Sequence, residues 1–398
     1  MSWLRPGVLV VALVNVFFMF VGGLTYPVIP LYLTGIGLGV VWMSFIVMIL
    51  SLSSFAFQVI WGWISDRIKY RAWLVVFGGS LMGVCYLLAS VFYEDLIFLA
   101  ILLVLANIGG AAVFTPSSAL VADVCGSENV GKSMGLFWAG GSLGWALPLV
   151  FAGYLLDVYD IWVVFLICGF VSIVISVLGA VLLRLNISRS GTVKPAVRRF
   201  SLEIMLNKYF LVLYIASLLF YLGDVVKNIY IPQYHAYELG LGRGFATFIL
   251  SCASWAEIPL LMVFGFLVDL LGSGFIFLFS LLSCALYLFV NSFVYDLVTA
   301  LVVMTCYGFV WASFSSSSST LTVELVGENE RGIALGMLNA NFSLASIIGP
   351  PLFGYLVDIY GYKLCFIFAS FSLMLASTMF IIVFGLGGFL KVSKLRRN

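Results

Sequence analysis

Apolar residues in this chain run in long blocks separated by short polar or charged breaks. A helix needs about 20 residues to cross the hydrocarbon core of a bilayer, and the blocks predict twelve such helices. Their expected bounds are 8–33, 40–65, 72–92, 95–120, 134–156, 162–184, 209–234, 245–268, 274–291, 297–320, 334–357 and 364–388. The blocks lack the short alternation of a membrane β-strand. The fold class that follows is an all-α polytopic membrane protein.

Composition agrees with the pattern. With 63% hydrophobic and 9% charged residues and a mean hydropathy of +1.18, the chain cannot be an ordinary soluble domain, in which charged residues make up about 25%. The breaks also orient the helices. With both termini cytoplasmic, sixteen of the 19 Lys and Arg fall on the cytoplasmic side, Arg243 and Lys363 fall outside, and Lys227 lies within a span. Such a bias follows the positive-inside rule and predicts a multi-pass protein of the plasma membrane. Met1–Pro6 is too short for a charged leader, so the first span reads as retained.

The longest polar interruption divides the chain into a six-helix bundle at 1–188, a cytoplasmic linker at 189–208, a second six-helix bundle at 209–390 and a basic tail at 391–398. The bundles are related in sequence. Residues 117–157 align with 318–358 at a constant offset of 201, with 13 identities over 41 positions that include Gly126/Gly327, Gly131/Gly332, Gly135/Gly336, Gly153/Gly354 and Asp157/Asp358. A glycine spacing kept through a loop and the following helix indicates duplication. Paired repeats of this kind are a common plan of secondary transporters.

The break after the second span reads Gly62-x3-Asp66-Arg67 with Lys69, Tyr70 and Arg71, and a weaker copy, Gly265 to Gly274, keeps Gly265, Asp269 and Gly272 without any basic residue. In a twelve-span chain of two six-helix halves this stretch resembles the loop signature of the major facilitator superfamily, although Lys69 stands where the family usually has Gly. Asp123-x7-Gly131-Lys132 and the glycines of the fifth and eleventh spans add to the resemblance. It implies two pseudo-symmetric bundles with a substrate site between them. It also implies a cytoplasmic gate of Gly62, Asp66, Arg67, Arg71 and Asp123 that latches that side closed. Physically, Gly62 would let its helix approach a neighbour closely, and Arg67 or Arg71 could pair with Asp123. The degraded second copy predicts an asymmetric latch, stronger in the first half.

Fifth-span Gly135, Gly144, Pro148 and Gly153 resemble in part the glycine-proline signature of drug/proton antiporters, but Pro-Leu stands at 148–149 and the Gly-Pro step appears instead at Gly349-Pro350. Many proton-driven antiporters of the family carry an arginine in the fourth helix, and none lies between Asp95 and Asp123. That fourth span offers Asn107, Thr115 and Pro116 instead.

Charges inside the spans carry the functional reading. Asp224 and Lys227 lie in the seventh span and Glu257 in the eighth, about 22 Å and about 18 Å from their helix starts at 1.5 Å per residue, near the bilayer centre. A buried ionisable group costs at least about 2.5 kcal/mol, so it normally faces a cavity or a partner. Tyr221, Asp224, Lys227 and Asn228 share one helix face. Two acids and one base leave a surplus carboxylate, expected to be a proton carrier; Glu257 is preferred, with Asp224 as its companion, while Asp224 and Lys227 read alternatively as a self-neutralising structural pair. Ala256 to Pro259 resembles the eighth helix of proton-coupled sugar and nucleoside permeases of the superfamily. Asn15, Asn107, Trp311, Asn339 and Asn341 complete the expected substrate cavity. Asn15 and Asn107 read equally as bonds to a neighbouring helix, and Ser315 to Ser319 as residues that bond back to their own helix.

His235 is expected near the outer loop as a solvated or interface residue, and the seven cysteines as single packing residues. No nucleophile, histidine pair or metal-ligand spacing lies in the spans, so the chain reads as no enzyme, with no metal and no cofactor. The expected partners are a small-molecule substrate, protons and the lipid bilayer, with no nucleic acid, and the expected working form is a monomer. The leading expectation is proton-coupled transport of a small polar organic solute, such as a sugar or nucleoside, by alternating access. Drug or metabolite efflux by proton antiport is the alternative, and a non-transporting receptor a distant one.

Overall fold

The computed structural model describes residues 6–125, 130–185, 202–327 and 330–385. Almost all of them are helical, and no strand occurs among the described residues. Among the described residues, eleven continuous stretches are long and apolar enough to cross a membrane: Pro6–Gly35, Val40–Ser65, Ala72–Val91, Leu96–Val121, Ser133–Tyr159, Ile161–Arg184, Lys208–Glu238, Gly242–Leu271, Ser273–Asn291, Leu297–Leu325 and Ile333–Phe384. The last has 52 residues and breaks at Gly361, whose φ of +79° is open to glycine at little cost. It therefore supplies the eleventh and twelfth spans, which gives the twelve that the apolar blocks predict.

Several spans are bent where the sequence supplies a reason. The first is interrupted before Val28, beside Pro27, and the fifth between Leu149 and Ala152, just after Pro148, because proline removes a helical donor and crowds the preceding turn. The seventh widens into π-turns at Val226–Tyr230 and Tyr234–Glu238, on either side of Pro232. Within the expected linker, Leu202–Leu206 forms a short helix, and Asn207 caps the seventh span by accepting from the Tyr209 N–H at 3.0 Å. The remainder of that linker, the 391–398 tail, Gly126 and the side chain of Lys132 lie outside the described residues.

The chain forms two compact units. Unit 1 takes the described residues up to Ile36, those from Ile46 through the sixth span, and Arg243–Phe248; unit 2 takes Gly37–Phe45 and the rest of the second half. In unit 1 the third span packs on the fourth and sixth and the first span on the fifth. In unit 2 the seventh span packs on the stretch that forms the eleventh and twelfth, and the ninth on the tenth.

The sequence repeat has a structural counterpart at one pair of glycines. In unit 1 a Cβ on Gly153 would lie 1.9 Å from the Arg243 carbonyl oxygen, and the Gly153 N–H donates to Thr247 Oγ1 at 2.9 Å. In unit 2 a Cβ on Gly354, the repeat partner of Gly153, would lie 2.1 Å from Ser44 Oγ. Ser44 and Thr247 are themselves repeat partners, separated by the same 203 positions as Gly62 and Gly265. Each unit thus admits a hydroxyl-bearing helix start against the same glycine.

Gly62 behaves differently from the close approach expected of it. A Cβ there would meet only Thr115 Cγ2, at 3.6 Å, and one on Gly265 would meet nothing within 4 Å. An ordinary van der Waals gap separates the second and fourth spans at this point, so steric need does not explain the glycine.

Candidate functional site

The seventh span builds the polar centre of unit 2. Asp224 lies in the last turn of its regular helical part and Lys227 and Asn228 occupy the first π-turn, a widened geometry found often at functional sites. All three side chains are buried. Asp224 is well satisfied: Oδ1 accepts from the Tyr307 hydroxyl of the tenth span at 2.7 Å, and Oδ2 from Asn228 Nδ2 at 2.9 Å. Asn228 Nδ2 also donates to the Asp224 carbonyl at 3.0 Å, while Asn228 Oδ1 is buried without a partner.

Lys227 is held less closely. Its Nζ lies 3.9 Å from Asp224 Oδ1, beyond hydrogen-bond length, and 4.6 Å from the centre of the Tyr307 ring, within cation–π range. Glu257 lies within electrostatic range of both Lys227 and Asp224 but forms no ion pair or hydrogen bond with a described residue. Its backbone is brought in by the tenth span: a Cβ on Gly308 would stand 2.7 Å from Ala256 Cβ and 3.0 Å from Glu257 N. Tyr307, next to this close approach, is thereby set against the seventh span, and one short segment of the tenth helix touches both acids' surroundings.

One turn below Asp224, Tyr221 joins Trp311, Phe314 and Phe342 in an aromatic group with ring centres 5.2 to 6.3 Å from its own. Of the residues the sequence marks for a cavity, the structure therefore groups Tyr221, Asp224, Lys227, Asn228 and Trp311, with Glu257 beside them. The others are placed differently. Asn15 Nδ2 donates to the Phe137 carbonyl at 2.7 Å, joining the first and fifth spans of unit 1. Asn107 bonds back to the Leu103 carbonyl of its own helix. Asn341 donates to the Tyr214 carbonyl, joining the eleventh and seventh spans, and Asn339 is exposed.

Tyr307 is the member that sequence reasoning missed. It lies 83 positions from its partner, and an aromatic residue in an apolar helix carries no mark of a charged neighbour. His235 corrects an expectation: it is fully buried, and neither ring nitrogen has a hydrogen-bond partner among the described residues. The second π-turn carries it inward with Gln233 and Tyr234, which bond to Tyr362 and to the Val294 carbonyl. The serines of the tenth span are occupied locally, Ser317 with the Ser313 carbonyl and Ser319 with that of Ser315. A cleft of about 270 Å³ opens beside Ser319 and Glu324, apart from the buried charges.

The charged break after the second span forms its contacts within unit 1. Arg71 pairs with Asp66 at 3.1 Å and with Asp123 at 3.2 Å. Arg67 does not join them; it donates to the Trp63 carbonyl and lies 3.5 Å over the Trp63 ring. At the repeat position in unit 2, Glu324 stands where unit 1 has Asp123 and accepts from the Ser273 hydroxyl, so a neutral donor takes the place of the guanidinium.

The family model of the Major Facilitator Superfamily matches residues 11–212 and 213–395, one match over each half of the chain. The chain belongs to the major facilitator superfamily. It is 24% identical over 386 residues to an uncharacterized MFS-type transporter of Methanocaldococcus jannaschii, covering 94% of each chain. It is also 24% identical to Multidrug resistance protein 2 of Bacillus subtilis, covering 92% of each. Among solved structures it resembles the nucleoside transporter NupG, with a TM-score of 0.79 at 11% identity over 96% of this chain and 100% of that one. A POT family transporter in complex with 5-aminolevulinic acid is similar to the same degree, with a TM-score of 0.79 at 14% identity over 98% and 97%. These structural likenesses establish the fold, and the family makes the chain a polytopic membrane transporter.

Proposed function

We propose that this transporter is a proton-coupled carrier of a small polar organic solute that works by alternating access, with Glu257 as the proton-carrying group. The observation behind this reading is the distribution of partners among the buried charges. Asp224 accepts hydrogen bonds from Tyr307 and Asn228 and lies 3.9 Å from Lys227, whereas Glu257, beside the same cluster, is bonded to no described residue. A group that must gain and lose a proton in each cycle is better placed where no hydrogen bond commits it to one form. In this reading the protein sits in the plasma membrane as a monomer with both termini in the cytoplasm. Asp66, Arg71 and Asp123 gate the cytoplasmic side, and Tyr221, Lys227, Asn228 and Trp311 contact the solute.

The test is transport in proteoliposomes with an imposed pH gradient, using sugars, nucleosides, organic acids and a lipophilic cation. Uptake that follows the gradient and is lost in Glu257→Gln, with solute exchange at equal pH retained, supports the reading. Gradient-driven uptake that is unchanged in Glu257→Gln overturns it. Efflux of lipophilic compounds by proton antiport is a second reading, favoured by the full-length similarity to Multidrug resistance protein 2 and by the aromatic group around Tyr221. Extrusion of the lipophilic cation in the same vesicles selects it.

A further inference from the structure

The buried lysine of the seventh span has more donors than acceptors to fill them. Lys227 is 6% exposed. Its ammonium carries three N–H donors, and no described residue accepts one within hydrogen-bond distance. The nearest carboxylate oxygen, 3.9 Å away on Asp224, already takes the Tyr307 hydroxyl. The other Asp224 oxygen takes Asn228, and the Tyr307 ring face supplies attraction without accepting a hydrogen bond in line. In the same π-turn, Asn228 Oδ1 is buried and unpartnered. Leaving polar groups this way is costly, and native proteins seldom do so without a use for them. A pair that served only structure would close the gap between Lys227 and Asp224 and fill those donors.

We infer that Lys227 and Asn228 form a recognition site for a monoanionic carboxylate on the transported solute: the ammonium takes the carboxylate, and Asn228 Oδ1 accepts from a donor on the same molecule. This deepens, and rests on, the reading of the cluster as a transport site. Charge balance sets the class of anion. Among the described residues one cation, Lys227, faces Asp224 and Glu257, so a dianion such as sulfate meets two carboxylates across a single positive charge. A monoanion is accommodated when Glu257 holds a proton. The remaining titratable groups around the cluster among the described residues, Tyr221 from the seventh span, Tyr307 from the tenth and Cys284 and Tyr287 from the ninth, are uncharged in the forms that tyrosine and cysteine ordinarily take at pH 7 and leave that balance unchanged. Binding of the carboxylate then favours protonation of Glu257, and protonation favours binding of the carboxylate by the same factor.

The test is thermal unfolding of the full chain in lipid nanodiscs with matched pairs of probes: lactate and lactamide, benzoate and benzamide, nicotinate and nicotinamide, N-acetylglycine and its amide, with sulfate as the dianion. At least one acid is expected to raise the unfolding temperature while its amide and sulfate do not. The shift is expected to vanish in Lys227→Met, to persist in Asp224→Asn, and to grow as pH falls in the wild type but not in Glu257→Gln. Equal shifts by acid and amide, no shift by any acid, or an acid shift unaltered in Lys227→Met each overturn the assignment, and the first two need no variant to fold. Gradient-driven transport of uncharged solutes alongside such a result would leave the proton coupling standing and remove only the anion site. Loss of the Glu257 dependence with the acid shift intact would do the reverse.

Discussion

Arg243 Nε donates to Asp157 Oδ1 at 2.6 Å, and the neighbouring Gly244 N–H donates to the other oxygen of the same carboxylate at 2.9 Å. One helical turn before Asp157, Gly153 meets Thr247. The repeat equivalent, Gly354 against Ser44, has no such ion pair: Asp358 is exposed, and Val40 stands where the repeat would place the arginine. The two repeats keep the steric half of this contact and differ in the ionic half.

That division predicts an order of stabilities. Gly153→Val and Gly354→Val each force a side chain into occupied space and are expected to cost about 1–3 kcal/mol, as overpacking does. The Arg243–Asp157 pair is partly exposed on both sides, so Arg243→Ala is expected to cost only about 0.2–1 kcal/mol. Asp358→Ala is expected to be neutral. Thermal unfolding in detergent ranks the four, and an Arg243→Ala effect larger than either glycine effect contradicts the division.

A second contrast lies inside unit 2. Tyr307→Phe removes a hydrogen bond to a buried carboxylate and is expected to destabilise by about 1.5–3 kcal/mol, the range for bonds to charged groups. Glu257→Gln removes no hydrogen bond to a described residue and is expected to cost less than Tyr307→Phe. Chemical denaturation of both variants beside wild type measures the difference. A Glu257→Gln variant as unstable as Tyr307→Phe would show that Glu257 has a structural partner.

Much of this architecture could be read from the sequence because little besides a membrane span requires uniform apolarity over about 20 residues. The second span, expected at 40–65, is observed at Val40–Ser65. The grouping of Asp224, Lys227 and Asn228 was equally legible, since helical spacing alone makes them neighbours. What escaped depends on contacts between distant helices or on a local change of helical pitch. Tyr307 reaches Asp224 from a different helix, beside the point where Gly308 lets the tenth span close on Ala256. His235 is buried because the seventh span turns as a π-helix just where a solvated end was expected. Gly62 shows the opposite limit, since a sequence motif gave it a packing role that its surroundings do not require.

The break before the tenth span carries a pH dependence of known sign. Asp296 caps that helix, accepting from the Thr299 N–H at 2.8 Å, and this backbone hydrogen bond holds its carboxyl below the usual carboxylate range. A depressed folded-state value means that the cap stabilises above the unfolded carboxylate pKa of about 3.9 and that this contribution is lost as pH falls through the folded value. Asp296→Asn keeps an oxygen acceptor without the charge. The stability difference between wild type and this variant is expected to shrink below about pH 4. A difference that is constant from pH 7 to pH 3 would remove the cap's charge from the account.

Asp66 separates a gate from a fold. Its side chain is 54% exposed where it meets Arg71, whereas the Arg71 and Asp123 side chains are 12% and 9% exposed. Removing Arg71 leaves Asp123 largely buried without its guanidinium, and Arg71→Ala is expected to cost about 3–5 kcal/mol, as breaking a buried pair does. Asp66→Ala breaks an exposed pair and is expected to cost about 1 kcal/mol or less. If the cluster gates the transporter, Asp66→Ala nonetheless abolishes uptake in proteoliposomes while the purified protein keeps its unfolding temperature. In unit 2 the matching carboxylate, Glu324, takes a hydroxyl instead, so Ser273→Ala is expected to lose about 0.5–1.5 kcal/mol and to leave uptake in place. Unchanged uptake in Asp66→Ala, or equal losses of uptake in Asp66→Ala and Ser273→Ala, would show that the charged turn of the first half holds no special place in the cycle.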